Sequence, residues 1–242
     1  MHPGGLYFTF LFDPPPHDGV FSVNPETPKK TKRTGDEPIV YVVDDDVSVR
    51  ESLGLLFRSV RLCAELFESA SELLQRKLPS VPSCLVLDVR LPGLSGFELH
   101  SELIKANIHI PIIFMTAHGD IPMSVRAMKT GAVDFITKPF RDQDMLEAVA
   151  AAINRDRDRL GAERARRDLQ KRFDGLTLRE QQVMALVTTG LMNKQIAAEM
   201  NLSEITVKIH RMHVMMKMQA KSLANLVKMA EALDVSRTPS VP

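Results

Sequence analysis

Residues 83–93 read Ser-Cys-Leu-Val-Leu-Asp-Val-Arg-Leu-Pro-Gly, and this stretch decides the fold. An apolar run from Cys84 to Leu87 ends on a single carboxylate, Asp88, and a Pro-Gly pair follows four residues later. Parallel strands that are covered on both faces have such continuous apolar sequences. Ligands of open α/β sheets lie beyond the carboxyl ends of the strands. The stretch therefore predicts a buried parallel strand that brings Asp88 to the functional edge of a sheet.

Apolar runs of strand character alternate with segments of helical spacing on both sides of this stretch. The predicted strands are residues 39–43, 64–67, 84–88, 111–116 and 133–137. The predicted helices between them are residues 49–60, 69–78, 96–106 and 121–129. Strands that alternate with helices form one parallel sheet with right-handed crossovers. We therefore expect a doubly wound, five-stranded α/β domain.

The chain beyond residue 140 has helical signals only. Residues 141–172 are rich in Arg, Asp, Glu and Ala, which favours one long helix that becomes solvated toward its end. Short helices are then predicted at 178–189 before Gly190, 194–200 after an Asn193 cap, 204–218 after a Ser203 cap, and 223–233 after a Ser222 cap. The pattern predicts a small all-α domain with four short helices behind the sheet domain.

Length, charge and composition limit the classes of protein to which the chain can belong. A chain of 242 residues can form one large domain or two small ones, and its net charge of +1 provides no global field for nucleic acid. Basic residues outnumber acidic ones after residue 176, which is compatible with DNA contact. Residues 1–37 contain three consecutive prolines and a basic cluster, so they predict a disordered tail. No apolar run approaches the roughly 18 residues of a membrane span, and we expect a cytoplasmic protein without a membrane segment or signal peptide.

Polar side chains follow four of the predicted strands. Asp44, Asp45 and Asp46 follow the first strand, and Asp88, Thr116 and Lys138 close the third, fourth and fifth. In a doubly wound sheet these positions converge on one crevice. Clustered carboxylates repel one another unless a cation offsets them, and Mg²⁺ suits a site of oxygen ligands that keeps several waters. A carboxylate beside such an ion and a lysine can attack phosphorus and form an aspartyl phosphate.

Residues 38–155 resemble the receiver domains of response regulators. The resemblance rests on Val43-Asp44-Asp45-Asp46, Leu87-Asp88-Val89-Arg90-Leu91-Pro92-Gly93, Met115-Thr116-Ala117-His118-Gly119 and Ile136-Thr137-Lys138-Pro139-Phe140. It implies that Asp88 is the phosphoacceptor. It also implies Mg²⁺ held directly by Asp45, Asp88 and the backbone carbonyl of Arg90, with Asp44 acting through water. A cis peptide bond is implied before Pro139.

The same resemblance implies a switch around Asp88. Thr116 and Lys138 would bind the phosphoryl group, and Phe135 would follow the inward movement of the Thr116 hydroxyl. Many relatives have tyrosine where Phe135 stands, so this ring can rotate but offers no hydroxyl for a hydrogen bond. Ala117 is small and leaves room for a phosphodonor. Arg90, two residues past the acceptor, is expected to shield the phosphoryl group from water and to slow its hydrolysis.

The predicted helix at 204–218 follows a short turn and mixes apolar and polar side chains. The apolar side chains that could pack on other helices are Ile205, Val207, Ile209, Val214 and Met216. The side chains expected to reach outward are Thr206, Lys208, His210, Arg211 and Lys217. Such a helix fits either a recognition helix in a DNA major groove or a solvated basic face.

Residues 172–237 resemble LuxR-type helix-turn-helix domains. The resemblance rests on Glu180, Gly190, Asn193-Lys194, Ile196-Ala197, Thr206-Val207-Lys208, His210-Arg211 and Lys217. It implies that Lys208 and Ile209 face bases, with Met212 one turn further along, where readout would be apolar, for example of a thymine methyl group. Phosphate contacts are expected from Lys194, Thr206, His210, Arg211 and Lys217. Residues 222–227 and 119–123 resemble the FixJ subgroup.

The two resemblances divide the chain into a tail (1–37), a receiver domain (38–155), a linker helix (156–171) and a helix-turn-helix domain (172–237). They imply a phosphorylation-controlled transcription regulator of a two-component system. A sensor histidine kinase would phosphorylate Asp88, and the receiver would then form a homodimer that places two helix-turn-helix units on double-stranded DNA. RNA polymerase is a further candidate partner.

Two other functions are compatible with parts of the sequence. A phosphatase with an aspartate nucleophile usually has a second aspartate two residues later as general acid, but Arg90 stands there. We therefore expect no catalytic residue for an external substrate. A phosphate-independent binding module with a vestigial pocket is the other alternative. The intact set Asp44, Asp45, Asp88, Thr116 and Lys138 argues against it.

Overall fold

The computed structural model of the protein describes residues 37–235 and contains a five-stranded parallel sheet with helices between the strands. The strands are β1 (Ile39–Val43), β2 (Cys63–Phe67), β3 (Ser83–Asp88), β4 (Ile112–Thr116) and β5 (Asp134–Thr137). The helices of this region are α1 (Val47–Ser59), α2 (Ala70–Gln75), α3 (Gly96–Lys105), α4 (Ile121–Lys129) and the start of α5 (Asp142–Asp174). The spatial order is β2-β1-β3-β4-β5, with every neighbouring pair parallel. The expected doubly wound sheet is confirmed, and its strand order reverses between β1 and β3.

Alternate residues of the strands supply two separate hydrophobic cores, because successive side chains point to opposite faces of a sheet. Tyr41, Leu87 and Phe114 lie in the core on the face of α2, α3 and α4. The core on the other face contains Val42 and Val86 and is closed by α1 and α5. Both faces are therefore covered, which explains the continuous apolar sequences of the central strands.

The C-terminal part is all-helical, as expected. Its helices are α6 (Leu178–Thr188), α7 (Asn193–Met200), α8 (Glu204–Met218) and α9 (Leu223–Ala232). They enclose a third core that includes Val183, Ile196, Val207, Val214 and Leu226.

Two local expectations differ from the structure. Helix α2 ends at Gln75 rather than at residue 78, and Arg76 is already extended. Leu78 precedes Pro79, which disfavours helical backbone at that residue. Asn193 is the first residue of α7 rather than its cap, which is Met192. The Asn193 side chain accepts a hydrogen bond from Arg211 instead, over 2.6 Å.

Helix α5 runs unbroken for 33 residues, from the sheet domain into the helical domain. Its first half is packed rather than solvated, since Asp156 is fully buried and Leu160 nearly so. The Asp156 carboxylate accepts hydrogen bonds from the backbone N–H of Ser83 (2.9 Å) and from Arg159 (2.9 Å). A contiguous exposed stretch begins only at Gly161.

No helix within residues 37–235 is both long enough and apolar enough to cross a membrane. The disordered tail expected at residues 1–37 lies outside the described residues except for its last position, and so do the last residues of the domain expected at 172–237.

Candidate functional site

The carboxyl ends of the strands bring three predicted polar residues into direct contact. Asp44 follows β1, Asp88 ends β3 and Lys138 follows β5. The Lys138 ammonium lies 2.5 Å from Asp44 Oδ2 and 2.8 Å from Asp88 Oδ1. Both aspartates are almost completely buried, and the lysine side chain is 18% exposed. The crevice beyond the sheet therefore holds two carboxylates joined by one cation.

The charges of this acidic pocket (Asp44, Asp88 and Lys138, with Asp45 at its rim) are not balanced. Burial raises the pKa of Asp44, and hydrogen bonds from Lys138 and from the Asp46 backbone only partly counteract it. Burial would lower the pKa of Lys138, but its hydrogen bonds to the two carboxylates outweigh burial and raise it. The lysine thus stays charged, and the pocket retains an excess of negative charge that a further cation would offset.

The remaining acidic residues at this edge have different surroundings. Asp45 is exposed, while Asp46 accepts a hydrogen bond from the Ser48 backbone N–H and caps α1. Asp88 Oδ2 accepts a hydrogen bond of 2.6 Å from the backbone N–H of Arg90, whose side chain lies at the surface. Within residues 37–235, no three His, Cys, Asp or Glu side chains converge closely enough to hold a metal by themselves. The oxygen donors nevertheless suit a hard cation that keeps much of its water, because such ions need few protein ligands.

The expected switch residues lie on β4 and β5 or directly after these strands. Thr116 is fully buried at the end of β4, and its hydroxyl oxygen accepts a hydrogen bond from the His118 backbone N–H. Ala117 is exposed and Phe135 is half-buried. The Thr116 carbonyl accepts a hydrogen bond of 2.8 Å from the Lys138 backbone N–H, which ties β4 to the lysine. The peptide bond between Lys138 and Pro139 is cis, as expected.

Gly119 has a steric role that its presence in a motif did not reveal. A Cβ atom at this position would lie 2.6 Å from Thr137 Cγ2, 3.0 Å from Phe135 Cε1 and 3.3 Å from Thr116 Cγ2. Glycine therefore allows the loop after β4 to approach the ring of Phe135 and the methyl group of Thr116.

The helical domain contains a helix-turn-helix formed by α7 and α8. Asn201 adopts a left-handed conformation at the end of α7, and Ser203 caps α8 through the Thr206 backbone N–H. The buried side of α8 presents Val207, Val214 and Met218 to the core. Ile205, Ile209 and Met216, which we expected to be able to pack, are instead 74%, 46% and 63% exposed.

The residues expected to contact DNA fall into two groups. Those with exposed side chains are Lys194, Lys208, Ile209 and Met212. Those that are partly buried are Thr206, His210, Arg211 and Lys217. Arg211 donates to Asn193, and the Thr206 hydroxyl lies 2.8 Å from that of Ser203. The first contact joins α8 to α7, whereas the second lies within the N-terminal turn of α8.

Lys217 takes part in a buried ion pair with Glu180. The ammonium lies 2.7 Å from Glu180 Oε2, and the same oxygen accepts a hydrogen bond from the Thr177 backbone N–H. Burial would raise the pKa of Glu180, but these hydrogen bonds outweigh it and lower the pKa to about 2. The pair joins α6 to the last turn of α8, a structural role that the sequence did not reveal for Lys217.

Known protein families match both parts of the chain. Residues 40–150 match the family described as response regulator receiver domain, and residues 174–230 match bacterial regulatory proteins, luxR family. Nodulation protein W of Bradyrhizobium diazoefficiens is 63% identical over 198 residues, which cover 82% of this chain and 87% of that protein. Response regulator protein TodT of Pseudomonas putida is 45% identical, over 81% of this chain and 86% of that protein.

Further similarity extends over both domains. Transcriptional regulatory protein FixJ of Rhizobium meliloti is 43% identical, over 80% of this chain and 95% of that protein. The solved structure of the response regulator StyR superposes with a TM-score of 0.73 at 49% identity, covering 81% of this chain and 98% of that one.

Proposed function

Because the chain belongs to the response regulators that join a receiver domain to a LuxR-type DNA-binding domain, we propose that a phosphoryl group on Asp88 controls its binding to DNA. Two-component transcription regulators of this family act through phosphorylation and DNA binding. The observation that carries the assignment to Asp88 is its contact with the Lys138 ammonium at 2.8 Å inside the acidic pocket. Domain limits at residues 38–155, 156–171 and 172–237 form part of the proposal.

The proposed reaction transfers a phosphoryl group from the phosphohistidine of a sensor kinase to Asp88. The P–N bond of the donor breaks, and a P–O bond to the aspartate forms. Lys138 would neutralise the charge that develops on the phosphoryl oxygens, and the Arg90 backbone N–H would hold the carboxylate in place. The exposed position of Ala117 would leave access for the donor.

Receiver domains generally use Mg²⁺, and the excess negative charge of the acidic pocket supports the same requirement here. We propose that Asp45, Asp88 and the Arg90 carbonyl bind the ion directly, with Asp44 acting through water. When bound, the ion neutralises charge on the phosphoryl group. The Thr116 hydroxyl would donate to the phosphoryl group, and Phe135 would then rotate toward the space that Thr116 leaves.

The proposed effect of phosphorylation on DNA binding depends on α8. We propose that the phosphorylated receiver forms a homodimer, which places two copies of α8 in successive major grooves of double-stranded DNA. Lys208, Ile209 and Met212 would face bases. The residues proposed to contact phosphates are Lys194, Thr206, His210, Arg211 and Lys217. A cytoplasmic location and contact with RNA polymerase are further parts of the proposal.

We propose no catalysis on an external substrate. The family is one of transcription regulators, and an aspartate-based phosphatase would need a general acid where this chain has Arg90. Asp88 would instead receive a phosphoryl group and lose it to water.

Phosphorylation with acetyl phosphate and Mg²⁺ tests the proposal. We expect the wild-type protein to gain one phosphoryl group by intact mass, with a rise in dimer fraction and in affinity for DNA. Asp88→Asn should gain none, whereas Asp158→Asn, an exposed aspartate on α5, should behave like wild type. Labelling that leaves DNA affinity unchanged would instead support a phosphate-independent module.

A further inference from the structure

The outward face of α8 carries a continuous apolar stripe. Its members are Ile205, Ile209, Met212 and Met216, which are 74%, 46%, 59% and 63% exposed. At 100° per residue these four positions fall within about 60° of the helix circumference, along roughly 16 Å of its length. We call this row the α8 stripe.

The fold of the domain does not use the α8 stripe. Val207, Val214 and Met218 already provide the buried face of α8, and they pack in the core with α6, α7 and α9. Isolated exposed apolar residues are ordinary, but a contiguous row with a polar surround indicates a contact surface. The stripe is therefore a candidate contact surface for a partner outside the described domain.

The charge around the α8 stripe indicates which occupant fits. Lys208 is exposed beside it on α8, and Lys194 is exposed on α7. Arg211, held by Asn193, adds a third cation between the two helices. An occupant that is anionic along its edges and apolar in its centre matches this arrangement. The major groove is such a surface, with phosphates along both rims and thymine 5-methyl groups on its floor.

The chemistry of the side chains limits what they can read. Isoleucine has no hydrogen-bonding group, and the methionine sulfur is only a weak acceptor. Neither can donate to the guanine O6 and N7 acceptors, whereas the exposed ammonium of Lys208 beside the stripe can make that contact. The first turns of a recognition helix contact base edges, which includes Ile205, Ile209 and Met212 but leaves Met216 beyond the bases.

We propose that Ile205, Ile209 and Met212 recognise thymine through its 5-methyl group, so that each DNA half-site contains consecutive T·A pairs beside one guanine read by Lys208. This readout rests on the proposed function, because it requires α8 to enter the major groove. Of the four side chains that would face bases, only Lys208 would form a hydrogen bond. The other three would bury methyl groups, and such burial discriminates thymine from cytosine and from uracil.

Duplexes that differ only in methyl groups test this readout. The phosphorylated full-length protein would first select its preferred duplex from a random-sequence library, and each thymine of the half-site would then be replaced by deoxyuridine. Burial of one methyl group predicts a loss of about fourfold in affinity at each contacted position. Thymines outside the contacted positions should tolerate the replacement.

Side-chain truncation then assigns each methyl group. In Ile209→Ala and Met212→Ala the affinity for the thymine duplex should fall, and the penalty for deoxyuridine should disappear at the position that each residue contacts. Lys208→Ala should weaken binding to both duplexes equally. Met216→Ala is the matched control, since the same change beyond the bases should preserve the full penalty. Thermal unfolding would verify that these exposed substitutions leave the domain folded.

Three results would overturn the readout. The first is specific binding that ignores the replacement of thymine by deoxyuridine. The second is a deoxyuridine penalty that persists in both truncation variants. The third is an unchanged base preference in these variants together with a shift of their monomer–dimer equilibrium in the absence of DNA. That result would show that the stripe is a protein interface. Failure to select any duplex would instead overturn the proposed function, and the readout with it.

Discussion

Replacement of Lys217 by methionine separates two roles that the sequence and the structure suggest for this residue. The structure places the Lys217 ammonium 2.7 Å from the buried carboxylate of Glu180, so the replacement removes this cation and leaves His213 Nδ1, 3.4 Å away, as the remaining basic neighbour. The pKa of Glu180 is lowered from 4.5 to about 2 in the folded protein. At about 1.4 kcal/mol per unit, the shift corresponds to at most about 3.5 kcal/mol. The Lys217 side chain is 36% exposed, and solvent screening reduces its share to roughly 1–2 kcal/mol.

The pH dependence has a definite sign. Glu180 has a lower pKa in the folded state than in the unfolded state, so it stabilises the domain fully above pH 4.5. This contribution is lost as the pH falls from 4.5 toward 2. In Lys217→Met the pKa of Glu180 should move back up, so this variant and the wild type should approach each other in stability as the pH falls through that window.

Urea unfolding monitored by hydrogen exchange in α6 and α8 would isolate the helical domain from the receiver. We expect Lys217→Met to lose roughly 1–2 kcal/mol at pH 7, and the double variant with Glu180→Gln to lose less than the two single losses together. Lys221→Met, an exposed lysine outside this ion pair, is the control. Unchanged exchange in α6 and α8, together with a DNA-binding salt slope reduced by about one, would refute the structural role and favour a phosphate contact.

Three further substitutions have expected outcomes. Gly119→Ala should cost about 1–3 kcal/mol in urea unfolding, because the added methyl group overlaps Thr137 and Phe135; unchanged stability would show that the loop yields freely. Arg90→Ala should shorten the half-life of the phosphorylated protein, measured by intact mass, if its exposed side chain shields the phosphoryl group, and an unchanged half-life would contradict this shielding. Gly161→Ala should stabilise α5 by about 0.5–1 kcal/mol, since no atom beyond the adjacent helix backbone and chain neighbours lies within 4 Å of the new methyl group. Faster hydrogen exchange around this position would contradict that expectation.

The positions of the pocket residues were predictable because each one ends or follows an apolar run. A parallel sheet aligns the carboxyl ends of its strands, so Asp44, Asp88, Thr116 and Lys138 had to share one edge once the strands were identified. Their pairing was not predictable. Lys138 contacts Asp44 and Asp88, which precede it in the chain by 94 and 50 positions. The sequence contains no local signal for contacts between residues so far apart.

The same lack of a local signal explains why the burial of residues on α5 and α8 differs from the prediction. A buried aspartate in a highly charged helix is indistinguishable by pattern from its solvated neighbours, and the partner of Asp156 is Ser83, 73 residues away. Helical spacing likewise identified the apolar residues of α8 without showing how many faces they form. Val207 and Val214 fill the core, so Ile205 and Ile209 remain outside.

The packing of α5 limits how the receiver can influence the DNA-binding domain. Residues up to Leu160 are fixed to the receiver, where Val149 lies in a core beside the sheet and Asp156 binds Ser83. The far end is fixed to the helical domain, because Phe173 packs on its core and Arg172 donates to the Met218 carbonyl. Residues 161–168 form a wholly exposed span between these attachments, and Arg164 within it donates to the Ser80 carbonyl over 3.4 Å. This span begins with glycine, which weakens a helix by about 1 kcal/mol relative to alanine. We infer that a change in the receiver would pass to the helical domain as rigid motion while this span stays helical. The stability of these eight exposed residues and the contact of Arg164 with Ser80 would together set the strength of the coupling.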